Sequence, residues 1–474
     1  MNKLKDKNIS IVFLCISLLF YVFFAVYDGA VMSLDSPSYI NMHTSREPFY
    51  CSFLALMRTI VSQFSSDKEL YFIVVVYIQS LLAAWAAWAL ADYLKKELAL
   101  TYFEECFILC IPLAVSFLCR FAARRSSMYS NSIMTEGIAC SLFLIFTRYL
   151  LEFYYKKSVR CIIISSAVSF ILISTRKQMY ITLVLLIIVV LSAYLPGKEI
   201  RKSAITVIVC TCCILISNTI FDNGYNLIAH GELGTHSSDN RFLATMAFYT
   251  SERDYGERIK DEQARELFYQ IYDVCNEQGY LGHSAGKGWY NRVNHFGDHY
   301  DNIQIDTMWR MIQNYVYDNY EGGTVYLEKI VDDTTNRIIM GLLPVVWPDV
   351  IHCFADNFLS GLITTIAQRK PVLIICSILA YIMYFVMLVI QIRTEGITKL
   401  SFLAIFTMLS IVINVAVVSM VIFCQTRYAI YNMPLFYISF FLLFVKNVSI
   451  ISGRLSIKKT GNMYRSDCVS GHSG

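Results

Sequence analysis

Charged residues are scarce in this chain of 474 residues. Only 16% of the residues are charged and 56% are hydrophobic, and the mean hydropathy is +0.49. A composition this apolar excludes an ordinary soluble globular protein. The net charge is only +4, and the basic residues are dispersed rather than grouped, which excludes a nucleic-acid-binding protein. The composition therefore predicts a polytopic membrane protein.

The sequence also lacks a cysteine framework. Most of its 15 cysteines fall inside apolar runs, where they act as small hydrophobic residues. Cys51, Cys275 and Cys353 fall in the segments expected outside the membrane, and they form an odd-numbered set with no repeated spacing. Neither a set of disulfides nor a zinc motif is therefore indicated. No internal repeat or low-complexity linker is visible either, so hydrophobic patterning carries most of the information on the fold.

Long apolar runs, in contrast, are abundant. A membrane-spanning helix needs about 20 mainly apolar residues. Runs of that kind predict about ten spans, at 9–27, 70–91, 103–119, 132–153, 159–175, 177–195, 203–220, 371–392, 400–424 and 428–445. Three lysines precede the first run, as in a signal sequence, but no cleavage pattern follows, so we expect an uncleaved anchor. The predicted fold class is an all-α polytopic membrane protein.

Basic residues in short loops predict the orientation, because they are retained on the cytoplasmic side. If each run crosses once, most of them fall on the side of the N-terminus, namely Lys95, Lys96, Lys156, Lys157, Arg160, Lys198, Arg201, Lys202, Arg393, Lys399, Lys446, Arg454, Lys458 and Lys459. We therefore expect a multi-pass protein of the cell membrane with both termini in the cytoplasm. The loop at 28–69 is then extracytoplasmic.

The predicted organisation has four parts. Residues 1–220 form a transmembrane core, residues 221–369 a mainly helical extracytoplasmic domain between spans seven and eight, residues 370–446 the last spans, and residues 447–474 a cytoplasmic tail. This order places both long polar segments of the chain, the first outer loop and the large domain, on one side of the membrane.

Helical periodicity is visible inside the large domain. Apolar residues at helical spacing predict helices at 259–275 and 303–315, which end near Gly279 and Gly322. The apolar run at 341–362 contains Pro344 and Pro348, so we expect it to break into an interfacial or re-entrant segment beside the membrane.

Six cations lie at the outer ends of spans, against the pattern of the other loops: Arg120, Arg124, Arg125, Arg176, Lys177 and Arg427. A single arginine at such a place can simply extend to the interface. Because all six share one leaflet, together they favour a bound anion, and a lipid phosphate is the anion most readily available there.

Two acids accompany these cations. Asp35 opens the stretch DSPSYINMHTSREPFY, residues 35–50, where Ser36 and Pro37 behind it are also typical of a turn or a helix cap. Glu136 in MTEG, residues 134–137, lies at the outer end of the fourth span. A carboxylate there is costly unless paired, so it indicates either a site residue or a structural ion pair.

The order and common side of these motifs resemble the GT-C superfamily of integral membrane glycosyltransferases, which includes the protein O-mannosyltransferases and the lipid A aminoarabinose transferases. That family's first outer loop carries a catalytic acid, often in an Asp-x-x-x-Tyr pattern, followed by a basic residue and a stretch that contains proline. The corresponding places are occupied here by Asp35 and Tyr39 in DSPSY and then by Arg46 and Pro48 in REPFY. MTEG is similar to its Thr/Ser-Glu motif. STRKQMY, residues 174–180, and TRYAIYNMP, residues 426–434, are similar to the outer-end arginines of its later spans.

The resemblance implies a transferase that moves a sugar from a polyprenyl-phosphate donor, held beside membrane lipid, to an extracytoplasmic glycan, lipid or protein. Asp35 is the expected general base. The expected substrate-binding residues are Tyr39, Arg46, Arg124, Arg125, Glu136, Arg176, Lys177 and Arg427, of which the cations would stabilise the leaving phosphate. Many relatives have adjacent acids in the first loop, whereas here Asp28 and Asp35 are seven residues apart, so Asp28 stays a second candidate for the base.

A metal site and two other protein classes have to be weighed against this interpretation. His295 and His299 in HFGDHYD are four residues apart, but without a third ligand at a diagnostic spacing we expect no metal or other cofactor. A transporter or flippase of lipid-linked sugars would also hold phosphate, but such proteins show paired halves with broken spans, which are not visible here. A polysaccharide polymerase or ligase would instead have its essential residues in the 221–369 segment.

Overall fold

The computed structural model describes the backbone of residues 2–124, 126–236 and 239–469, and the side chains of residues 6–121, 126–236, 241–450 and 452. Within these ranges the regular structure is helical. The α-helices are α1 (Asn2–Asp28), α2 (Ser36–Ile40), α3 (Pro48–Ser62), α4 (Leu70–Leu98), α5 (Tyr102–Leu118), α6 (Glu136–Lys156), α7 (Val159–Thr175), α8 (Tyr180–Tyr194), α9 (Ile200–His230), α10 (Asp239–Tyr249), α11 (Glu262–Glu277), α12 (Trp289–Asp301), α13 (Arg310–Asn319), α14 (Thr324–Ile366), α15 (Pro371–Glu395), α16 (Lys399–Val421), α17 (Thr426–Ala429) and α18 (Met433–Val469).

Ten helices in the described part of the chain are long and apolar enough to cross a membrane. They confirm the all-α polytopic class, and nine of them coincide with predicted spans. The predicted span at 159–175 forms α7, whose 17 residues are fewer than a typical span needs. The tenth candidate is instead α14, which the sequence pattern did not predict as a span.

Helix α14 runs for 43 residues without interruption, so the expectation that its prolines break it is wrong. Pro344 and Pro348 are four residues apart and both lie on the exposed face of the helix. Leu342 and Val346 on the opposite face are fully buried. Each proline removes a single backbone hydrogen bond, and packing of the buried face keeps the flanking turns helical.

Helices α10 to α14 form a helical domain with a hydrophobic core of its own. As predicted, α11 buries Leu267, Ile271 and Cys275, and the chain turns at Gly279, which has a φ of +70°. The second predicted helix is also present, as a π-helix at Asn302–Trp309 that continues into α13. This segment is therefore helical, and its predicted place outside the membrane stays a prediction.

Contacts between loops show which loops lie at each end of the helix bundle. At one end, Lys399 pairs with Glu97, and the Tyr155 hydroxyl donates to the Lys399 carbonyl at 2.9 Å. At the other end, the loop after α1, the segment before α6 and the α16–α18 connection meet beside the helical domain. We call these the opposite end and the domain end. The ion pairs of Arg427 described below lie at the domain end, and the candidate site is built around them.

Candidate functional site

The loop after α1 is fixed against the segment that leads into α6. The Val31 amide donates to the Asn131 carbonyl at 2.9 Å, and the Ile133 amide donates to the Val31 carbonyl at 3.0 Å. The Ser36 hydroxyl also donates to the Ile133 carbonyl, at 2.8 Å. These bonds hold Asp35, the residue before α2, close to the start of α6.

Asp35 stands at the N-cap position of α2, but its side chain accepts no capping hydrogen bond. Its carboxylate instead faces two guanidinium groups: Oδ1 lies 2.9 Å from Arg46 Nη2, and Oδ2 lies 2.9 Å from Arg427 Nη1. Burial raises the pKa of this carboxyl, whereas Arg427 and Arg46 lower it. The effect of the two arginines is the larger one, so the pKa of Asp35 is below its ordinary value. The side chain of Asp35 therefore does not cap α2 but forms ion pairs with two arginines.

Arg46 is itself held by neighbours on its own loop. It donates to the Ser38 hydroxyl at 2.8 Å and to the Tyr39 hydroxyl at 3.3 Å, and its guanidinium lies 4.6 Å from the centre of the Tyr39 ring. Tyr39 is nearly fully buried. The first loop thus orients one of the two cations that contact Asp35.

Glu136 is the second acid of the group, and its side chain is fully buried. It pairs with Arg176, from the α7–α8 connection, and with Arg427, whose Nε lies 2.9 Å from its Oε1. Arg427 therefore bridges Glu136 and Asp35. The result is a chain of five charges, Arg46–Asp35–Arg427–Glu136–Arg176, whose three cations and two anions leave a net charge of +1.

The start of α6 is positioned by a polar side chain in the middle of an apolar helix. Gln79 of α4 donates from Nε2 to the carbonyls of Ser130 at 2.9 Å and Ser132 at 3.1 Å, and accepts from the Tyr50 hydroxyl at 3.0 Å. Gly137 permits this approach, because a Cβ at that position would lie 2.6 Å from the Gln79 side chain. The glycine of MTEG therefore has a packing role beside the acid.

A cavity of about 740 Å³ opens beside this charge chain. Its walls come from four segments: the loop after α1, the segment before α6, the end of α14 with the α14–α15 connection, and the α16–α17 connection. Asp35 and Arg427 line it. Of the predicted site residues with described side chains, these two line the cavity. Glu136 instead lines a separate pocket of about 40 Å³. We call the space of about 740 Å³ the larger cavity.

Arg369 also lines the larger cavity, and sequence reasoning missed it. Its Nη1 atom is buried and has no hydrogen-bond partner among the described residues, and burial lowers the pKa of the guanidinium. The other cavity arginine, Arg427, has two carboxylate partners. The criterion that selected the six outer-end cations would have found Arg369 as well, because it lies just before a predicted span.

The remaining predicted residues divide into three groups. Lys177 donates its backbone amide to Glu47 Oε1 at 2.9 Å, and its half-buried side chain is not part of the cavity lining. Asp28, the second candidate for the base, pairs with Arg120 and likewise does not line the larger cavity. The predictions for Arg124 and Arg125 fall on side chains outside the described residues.

The two histidines considered as metal ligands have other contacts. His295 lies 3.2 Å from the Tyr249 hydroxyl and 3.1 Å from the Gly279 carbonyl oxygen, and its ring packs against that of His299. In the part of the chain that the structure describes, no group of three or more His, Cys, Asp or Glu side chains is arranged to hold a metal ion.

The larger cavity combines two chemical abilities. Asp35 offers a carboxylate, which can accept a proton or a hydroxyl hydrogen bond through its remaining lone pairs. Arg369 offers a half-buried cation whose guanidinium is not neutralised by any described ion pair, and a buried Nη1 atom without a hydrogen-bond partner favours an anionic ligand. Comparison with known proteins adds no identification, since no protein-family model and no curated protein matches the chain.

Proposed function

We propose that this protein is a membrane-embedded glycosyltransferase that resembles the GT-C superfamily and moves a sugar from a polyprenyl-phosphate donor to an acceptor hydroxyl in the larger cavity. The observation that carries the proposal is the pairing, in one cavity at the ends of apolar helices, of a carboxylate with an arginine that has no described counter-ion. The donor's phosphate would be that missing anion.

Asp35 is the general base in this reaction. Its carboxylate takes the proton of the acceptor hydroxyl while the acceptor oxygen forms a bond to the anomeric carbon of the donor sugar. The bond between that carbon and the phosphate oxygen breaks, and the polyprenyl phosphate leaves with the electron pair. The low pKa of Asp35 keeps the carboxylate ionised at neutral pH, so the base is in the required form before the acceptor binds.

Arg369 and Arg427 hold the donor phosphate. Guanidinium groups bind phosphate through charge-assisted hydrogen bonds, and these stabilise the charge that develops on the leaving group. Arg427 also contacts Asp35, so the cation that binds the leaving group is linked directly to the base. Glu136 and Arg176 lie behind Arg427 and fix its position.

Binding of the lipid alone tests the donor site. Purified protein in nanodiscs is titrated with polyprenyl phosphate and, in parallel, with the polyprenol that lacks the phosphate. Arg369→Ala should weaken binding of the phosphate about 10-fold to 100-fold, because a hydrogen bond to a charged group contributes about 1.5–3 kcal/mol. Binding of the polyprenol should not change.

Lys370→Ala is the matched control, because Lys370 carries the same charge on the same connection but is exposed and does not line the cavity. It should bind polyprenyl phosphate like the original protein. Equal affinity of the Arg369→Ala and Lys370→Ala proteins for polyprenyl phosphate would refute the donor site.

The proposed location is the cell membrane, with both termini in the cytoplasm and the larger cavity on the extracytoplasmic side. The basic short loops of the opposite end support this orientation. Epitope tags inserted after Lys96 or Lys198 should be protected in intact cells, and a tag near Arg46 should be reachable. Antibody labelling of the Lys96 tag in unbroken cells would reverse the assignment.

A further inference from the structure

The helical domain contains a second cavity, of about 250 Å³, which the proposed chemistry does not use. Its walls come from the connection after α10, the α11–α12 connection, α12 and the middle of α14. Four of its lining residues are apolar or aromatic: Val293 and Phe296, which are almost completely buried, and Tyr249 and Tyr255. We call this space the smaller cavity.

The residues of permanent charge around the smaller cavity are acidic, with one exception. Arg292 is its one cation of permanent charge, and Asp356 binds it through two bonds, of 2.6 Å and 3.0 Å. Glu252 and Asp349 line the cavity as well, and neither has an ion-pair partner among the described residues. The three carboxylates and one guanidinium of the lining sum to a charge of −2. A phosphate or another anion would be repelled from this space.

A lining that combines aromatic rings with hydrogen-bonding groups matches a pyranose ring, which has apolar C–H faces and hydroxyl groups around its rim. Aromatic side chains pack on such a face, and carboxylates accept hydrogen bonds from the hydroxyls. A lysine-rich peptide would satisfy the negative charge but would leave the aromatic rings without a matching flat surface. The lining therefore favours an uncharged sugar.

The smaller and the larger cavity share a wall. Asn357 lines the smaller cavity, donates to the Ile422 carbonyl at 2.7 Å and accepts from the Cys424 amide at 2.9 Å. Cys424 lines the larger cavity. Along α14, Asn357 is followed seven residues later by Thr364, which also lines the larger cavity, and seven residues of helix extend about 10 Å.

We propose that the smaller cavity binds a neutral glycan, and that this glycan is the acceptor, whose chain end reaches Asp35 in the larger cavity. The inference rests on the proposed function for the identity of the acceptor. The binding of a neutral glycan, however, can be measured without any transfer reaction.

The test measures binding of three tetrasaccharides, chitotetraose, maltotetraose and cellotetraose, to the full-length protein in detergent by saturation-transfer NMR and calorimetry. At least one of them should bind. The double variant Glu252→Ala/Asp349→Ala and the single variant Tyr255→Ala should each weaken that binding about 10-fold, as expected for the loss of one or two hydrogen bonds or of a packed ring. Glu257→Ala, an exposed neighbour outside the cavity lining, is the matched control and should bind like the original protein.

Two results would overturn the inference: no binding of any tetrasaccharide, or binding that the cavity variants leave unchanged. Displacement of the sugar by tetralysine at equal concentration would also overturn it, in favour of a cationic peptide.

The Asp35→Asn protein separates this inference from the proposed function. Retained sugar binding with unimpaired transfer would refute the base alone, whereas lost transfer without any sugar binding in the original protein would refute the glycan site alone.

Discussion

The two cavities carry opposite charge, and the difference lies in how their acids are paired. In the larger cavity, Asp35 is held by two arginines and a further arginine has no described counter-ion, so the lining has a net charge of +1. In the smaller cavity, Glu252 and Asp349 form no ion pair with any described cation, and the charge of the lining is negative. The first arrangement attracts a phosphate and the second repels it. The proposed transferase would use this separation to bind its phosphate-bearing donor and the rest of its neutral acceptor in different places.

Removing an acid should therefore have very different consequences at the two sites. Glu136→Gln leaves the buried guanidinium groups of Arg176 and Arg427 facing a neutral side chain, and the loss of one partner from a buried ion pair costs about 3–5 kcal/mol of folding stability. Asp349→Asn removes an exposed acid without an ion-pair partner and should leave stability unchanged. Thermal unfolding of the two purified variants measures the contrast. Equal Tm values would show that the charge chain does not stabilise the domain end.

The pH dependence of transfer offers a smaller but more specific test of the same pairing. Because Asp35 must be ionised to act as a base and its pKa is below the ordinary value, transfer should fall only at pH values below the ordinary range of an aspartate. Arg46→Met removes one of the two cations that lower this pKa, so the acidic limb of the pH–rate profile should move to higher pH. An acidic limb at the same pH in both proteins would show that protonation of Asp35 does not cause the loss of transfer at low pH.

The helices were largely predictable because their signal is local. Nine of the spans are contiguous apolar runs, and the periodicity of α11 predicted the side chains that it buries. Helix α14 was not predicted correctly because proline is a local signal of a break, whereas the packing of Leu342 and Val346 that preserves the helix depends on residues far away in the chain.

The candidate site was predictable only in part, for the same reason. The positions of Asp35, Glu136, Arg176 and Arg427 at one end of the bundle follow from counting spans. Their pairing does not, since Arg427 and Glu136 are 291 positions apart in the sequence. No local pattern indicates that Arg427 bridges two acids or that Arg369 stays without a described counter-ion in the cavity they share.

The central claim, that Asp35 is the general base, is tested most directly by comparing Asp35→Asn with Asp28→Asn. Membranes containing either variant are supplied with radiolabelled polyprenyl-phosphate sugars, and transfer is measured as the label that leaves the lipid extract, per folded molecule, beside donor binding. Asp35→Asn should lower transfer about 100-fold or more, which is the usual contribution of a general base, and keep donor binding. Asp28→Asn, whose side chain pairs with Arg120 away from the cavity, should transfer near the original rate. An Asp35→Asn protein that transfers sugar as fast as the original would contradict the account.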